Sequence, residues 1–257
     1  MSTASIIENA FFANGRYWGR QNESLQNHGS IWTMKTGIDS ADLNMVWNEQ
    51  PLRPEDSGLV QNIKEDYQKD GLPFWWWIFP GGNSPETLSI LDAEGFSLIT
   101  RVPSMLTDLS LMPDREPYDA MITVSRVTTR EDLHLWEEVS FAGFDFPPET
   151  KEPYHRFVNG FHLHADSPQK FFLAYLDGQP VATALLFLNH NVAGIYFVTT
   201  LAGHRKKGIG LALTLETLYF AKMAGVRYAT LQSSSDGLQV YRKAGFQEYL
   251  NALVYSL

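Results

Sequence analysis

A chain of 257 residues with 44% hydrophobic content can bury one large core or two smaller ones. The absence of cysteine excludes disulfides, thiolate metal sites and a cysteine nucleophile. A net charge of −9 and a pI near 5.2 argue against nucleic acid and anionic membrane surfaces as partners.

In chain order, residues 1 to 28 are mixed and polar, with a short helix expected over Ile6–Phe12. The first residues lack the basic and apolar regions of a signal peptide, so the expected compartment is the cytoplasm. No apolar run is long enough for a bilayer. Ile31–Thr36 and Leu43–Trp47 read as strands, and Pro51–Pro54 punctuates. Apolar positions Leu59, Val60, Ile63 and Tyr67 give a helix over Glu55–Lys69, stopped at Asp70-Gly71. Phe74–Phe79 reads as a strand; its Trp75-Trp76-Trp77 run suits a strand core or a stacking platform. Ser84 caps a helix over Pro85–Glu94, and strands follow to about Leu111. Met112–Tyr118, with two prolines, reads as a linker.

Met121–Val127 alternates as a strand. Thr128 or Thr129 caps a helix running to about Phe141, with Glu131 and Asp132 in its first turn. A loop over Ala142–Thr150 precedes helical residues Tyr154–Leu163. His162 and His164, with Asp166 nearby, invite a metal reading: the two histidines have strand spacing and face one side, but no third ligand is evident, so no metal is expected. Phe171–Leu176 and Val181–Leu188 form a hairpin about Asp177-Gly178. The apolar run Val192–Val198 is a buried strand, Leu211–Ala224 a helix, Arg227–Gln232 a strand, Leu238–Ala244 a short helix, and Glu248–Leu257 the last strand.

Between the Val192 strand and the Leu211 helix lies Thr199-Thr200-Leu201-Ala202-Gly203-His204-Arg205-Lys206-Lys207-Gly208-Ile209-Gly210. A strand, a basic glycine-bearing turn and a helix N-terminus together capture anions. Free N–H groups and the positive end of the helix dipole converge on one spot. Gly208 and Gly210 let a phosphate approach the backbone, and Arg205, Lys206 and Lys207 add charge. A dinucleotide fingerprint or a nucleotide P-loop would need other spacings. Downstream, Ser233-Ser234-Ser235-Asp236-Gly237 leads into Tyr241-Arg242-Lys243-Ala244-Gly245-Phe246.

The order Arg-x-x-Gly-x-Gly after Val-x-Thr, followed by Tyr-x-x-x-Gly-Phe, resembles the GNAT acetyltransferase superfamily over roughly residues 190 to 247. The resemblance implies acetyl-CoA as co-substrate, with its pyrophosphate on Arg205, Lys206, Lys207, Gly208, Ile209 and Gly210. It implies pantetheine along Val198, Thr199 and Thr200 beside a bulge, a further contact from Ser234, and Tyr241 as the acid that protonates the leaving thiolate. The acceptor is then an amine of a small molecule or peptide. No acidic residue on Val192–Thr200 supplies a base. Glu137, Glu138, Asp145 and Glu149 are base candidates, each read as a solvated surface charge. A non-catalytic CoA-binding or regulatory protein is the alternative, and a longer acyl group is compatible.

Leu91-Asp92-Ala93-Glu94-Gly95-Phe96 aligns with Tyr241–Phe246 at an offset of 150 residues, and the preceding helix and strand align too. This resembles tandem-GNAT proteins. The expected fold is α/β (α+β), with two tandem copies, each a mostly antiparallel mixed sheet flanked by helices. The expected boundaries are 1–117 for a degenerate copy and 118–257 for an active one. Glu55-Asp56-Ser57 stand where the second copy has its basic triplet, and Leu91 stands at the tyrosine position. Two fused copies can replace a dimer, so a monomer or a homodimer is expected.

Overall fold

The computed structural model describes residues 2–113 and 118–257. They divide into two compact units: residues 2–103 with 250–257, and residues 104–113 with 118–249. The expected 117/118 boundary and the centre of the linker lie outside the described residues.

The first unit begins with α1 (Thr3–Gln21), much longer than the short helix expected from its sequence. Ser2 caps it by accepting from Ser5 N–H at 3.1 Å. Strands β1 (Leu25–His28), β2 (Ile31–Lys35) and β3 (Asn44–Asn48) follow, then α2 (Ser57–Lys69), β4 (Trp75–Ile78), α3 (Pro85–Ala93) and the start of β5 (Ser97–Asp108). β1, β2 and β3 pair antiparallel, and β3 pairs parallel with β4. The far side of β4 is taken by the end of the chain's last strand, β11 (Gln247–Ser256): Leu253, Val254 and Tyr255 lie opposite Ile78, Trp77 and Trp76. The core gathers Val46, Tyr67, Trp76, Leu91 and Phe96 with Leu253. Trp76 and Trp77 are buried, so this run is core in the main.

The second unit contains β6 (Ile122–Arg126), α4 (Arg130–Gly143), α5 (Lys151–Asn159), β7 (Gln169–Leu176), β8 (Gln179–Asn189), β9 (Val192–Thr200), α6 (Ile209–Met223), β10 (Tyr228–Gln232) and α7 (Leu238–Lys243). β6 to β9 form an antiparallel meander. β9 pairs parallel with β10, whose other edge takes residues 104–108 of β5 antiparallel. One face of β7–β9 packs on α6 through Phe172, Ala184, Leu186, Ile195 and Leu213. On the other face, Trp136 of α4 meets Phe171 and Phe197.

The repeat read from the sequence has local structural counterparts. α2–β4–α3–β5 and α6–β10–α7–β11 run in the same order. α3 and α7 end in the same cap. Phe96 N–H donates to Leu91 O at 2.9 Å, and Phe246 N–H to Tyr241 O at 3.0 Å. Gly95 and Gly245, at φ +88° and +95°, take the left-handed conformation this cap requires. The cuts at residues 103/104 and 249/250 give each unit the end of the strand that closes the other repeat. The last strand was expected to belong wholly to the second copy, whereas residues 250–257 group with the first unit.

Candidate functional site

The site is built on β9. Its register with β8 slips between Thr183 and Leu185: Tyr196 opposes Leu185 and Thr199 opposes Thr183, so Phe197 and Val198 share one partner position. This is a β-bulge, with Phe197 at φ +51°. Two side chains hold it open. Trp136 Nε1–H donates to Ala184 O at 3.1 Å, and Thr183 Oγ1–H donates to Phe197 O at 2.9 Å. β9 and β10 pair only over residues 192–194 and 228–230. Each strand then runs on beyond its partner, leaving main chain near Val198 outside that ladder.

Beyond Thr200 the chain makes a 3₁₀ turn at Ala202–His204 and enters α6. Arg205 does not simply project into solvent. Its Nε–H donates to Thr200 O at 2.9 Å, and a terminal N–H donates to Gly143 O at 3.3 Å. It thereby ties the end of β9 to the end of α4, with other guanidinium donors left over. Lys206 and Lys207 are exposed, and Lys206 takes φ +63°.

Gly208 caps α6 at φ +79°, a conformation that strains a residue with a Cβ. The first helical bond runs from Ala212 N–H to Gly208 O. The N–H groups of Ile209, Gly210 and Leu211 therefore precede the helical ladder. A Cβ on Gly210 would meet Thr200 Oγ1 at 3.8 Å and Val240 Cγ1 at 3.9 Å, both ordinary contacts. Packing within the protein does not demand glycine there, whereas close approach of an anion would. The helix is long enough for a developed dipole, and three basic residues reinforce it.

Ser234 closes the turn that precedes α7: its Oγ accepts from Gly237 N–H at 3.2 Å. Tyr241 lies in the core of the second unit, 8% exposed and edge-on to Phe246. Burial pushes its phenol up to about 12, so it stays protonated through neutral pH.

α4 and α5 supply an aromatic wall. Phe144 meets Phe146 and Phe197, and Phe146 meets Tyr154. Gly143 admits Thr199: a Cβ at Gly143 would stand 2.5 Å from Thr199 Cγ2. Of the four acidic base candidates, Glu138, Asp145 and Glu149 are exposed as expected. Glu137 is not a solvated charge: its side chain is 5% exposed and its carboxylate meets His155. Sequence spacing could not reveal this, because His155 comes from the next helix. His162, His164 and Asp166 are exposed, with the two rings 5.8 Å apart.

Residues 131–246 match the acetyltransferase (GNAT) family. Among solved structures, the chain is similar to a GCN5-related N-acetyltransferase from Kribbella flavida (TM-score 0.72, 19% identity, 96% of this chain and 94% of that one). It is also similar to a GCN5-related N-acetyltransferase from Sphaerobacter thermophilus (TM-score 0.65, 19% identity, 89% and 76% covered). A tandem GNAT protein from the clavulanic acid biosynthesis pathway aligns with TM-score 0.58 and 14% identity over 88% of this chain and 82% of that one. At these identities the likeness is one of fold. No curated protein matches the chain.

Proposed function

Because residues 131–246 match the acetyltransferase (GNAT) family, we propose that the second unit binds acetyl-CoA and transfers the acetyl group to an amine of a small molecule or peptide. The observation that carries this reading is the start of α6. Three N–H groups outside the helical ladder, a left-handed Gly208 and a Gly210 with room for a Cβ face a turn bearing three cations. That arrangement suits the pyrophosphate of CoA.

The chemistry follows from the parts. The acceptor nitrogen attacks the thioester carbon, forming C–N. A main-chain N–H near Val198 stabilises the oxyanion. The C–S bond then breaks, and Tyr241 gives its proton to the departing thiolate, whose ordinary pKa is about 8.5. The amine loses its proton to solvent or to a group of the acceptor pocket. Val198, Thr199 and Thr200 line the pantetheine, Ser234 donates its hydroxyl to the same arm, and Arg205 turns its remaining donors to the phosphates.

The first unit is read as a degenerate copy, on the shared element order and the matching caps of α3 and α7. Glu55 and Asp56 precede its helix α2 where cations precede α6, and they would repel a pyrophosphate.

One observation favours a second reading, a CoA-binding protein without turnover. Tyr241 is packed in the core, and its ring leaves no room for a Cβ at Gly237. Calorimetric titration with acetyl-CoA and CoA, followed by thiol release on a panel of amines, separates the two. Binding with turnover supports transfer, and binding without it supports the second reading. No binding at millimolar ligand overturns both.

A further inference from the structure

His134 and Glu137 stand one turn apart on α4, and α5 brings His155 against them. The two oxygens of Glu137 lie 2.9 and 3.0 Å from His155 Nδ1. His134 Nδ1 lies 3.7 Å from Glu137 Oε2. One ligand atom from each residue falls within 4.8 Å of the others, and among the described residues no other such group of three occurs. A carboxylate withdrawn from water needs a cation or saturated hydrogen bonding. The Glu137 side chain is 5% exposed, and both its charged-pair partners are these imidazoles.

Two imidazole nitrogens and a carboxylate oxygen form the donor set of a divalent transition metal. Ligand atoms around such an ion stand roughly 3–4 Å apart, which small side-chain rotations reach from these separations. The second rank of partners is also present. His155 Nε2 is 2.7 Å from the side-chain amide of Asn159. With the Asn159 oxygen turned toward it, Nε2–H donates and Nδ1 offers its lone pair. Glu138 Oε1 lies 3.7 Å from His134 Nε2 and can orient that ring in the same way. Carboxylates and amides behind ligating histidines are a common support for a metal. His134 and His155 are 57% and 41% exposed, which leaves an entry path and a position for water.

We propose that His134, Glu137 and His155 form a site for a divalent metal of the zinc class, which ties α5 to α4. The proposal stands on these three side chains alone and does not depend on acyl transfer.

The full chain, stripped with chelator, is titrated with Zn²⁺ by calorimetry and with Co²⁺ by visible absorption. One ion per chain, the intense bands of tetrahedral Co²⁺ and a Zn²⁺-dependent rise in thermal midpoint are expected. His134→Ala, an exposed substitution that preserves the fold, and His155→Ala should each abolish all three. Asn159→Ala should weaken binding roughly 10- to 100-fold. A His162→Ala/His164→Ala double variant should bind like the parent. Failure to bind Zn²⁺, binding that survives His134→Ala, or loss in the His162/His164 variant overturns the site.

Discussion

Arg205 Nε–H donates to the carbonyl of Thr200 at 2.9 Å, fixing the start of the basic turn to the end of the strand that precedes it. A second guanidinium donor reaches Gly143 O. The residue thus has a scaffolding role as well as a charge. Arg205→Ala should lower stability by about 1 kcal/mol and weaken CoA by roughly 10- to 100-fold. Arg205→Glu should abolish CoA binding. Calorimetry and thermal unfolding on the same samples check both effects. Unchanged CoA affinity in Arg205→Glu would show that the anion binds elsewhere.

The two glycines at the head of α6 should respond differently. A Cβ on Gly210 makes only ordinary contacts, so Gly210→Ala should leave the unfolding midpoint unchanged or slightly raised while CoA affinity falls by about tenfold or more. Gly208 holds φ +79°, so Gly208→Ala should cost about 1 kcal/mol of stability as well as affinity. Equal affinity of Gly210→Ala and parent for acetyl-CoA would mean that the backbone there is not approached by phosphate.

Tyr241 carries a pH prediction. Its phenol is pushed up to about 12 by burial, from an ordinary value near 10. The raised value means that the folded state holds the proton more tightly than the unfolded chain. The associated stability is complete below pH 10 and is lost as pH rises toward 12, by about 2–3 kcal/mol. Burial also raises the phenols of Tyr67, Tyr154 and Tyr196, so Tyr241→Phe should shrink the alkaline loss by Tyr241's share only, and should lower turnover by about 100-fold with little change in acetyl-CoA affinity. Urea unfolding from pH 8 to 11.5, set against steady-state rates, distinguishes an acid from a core aromatic. Unaltered turnover assigns Tyr241 to packing alone.

The elements with clear periodicity were legible in the sequence. Ser84 was readable as a cap, and the next cap was narrowed to Thr128 or Thr129; Ser84 and Thr129 each accept from an N–H in the first turn of their helix. The tail of α1 was not legible because its inward face uses Gly15 and Gly19, which look like breakers. They are there for close packing: a Cβ on Gly19 would stand 2.7 Å from Leu25 Cβ. β1 was hidden by polar residues on a half-exposed strand. The interchange of strand ends between β5 and β11 was also beyond reach, since either partner satisfies the same alternating pattern. At the site, the basic turn could be read from residue types, but the tether from Arg205 to Gly143 joins residues 62 apart and leaves no local signal.

The head of α2 bears on how many ligands the chain takes. Asp56 Oδ2 accepts from Arg53 N–H at 2.8 Å, so the turn before this helix closes on its own carboxylate. Glu55 and Asp56 place negative charge where α6 has cations, and Arg53 pairs with Glu55 at 3.7 Å rather than standing ready for a phosphate. At short range two like charges at a helix start outweigh the half-charge of the dipole. Calorimetry should therefore give one acetyl-CoA per chain, and Arg205→Glu should leave no residual site. A stoichiometry of two, or a second site that persists in Arg205→Glu and disappears in Ser57→Trp, would show that the first unit retains a ligand of its own.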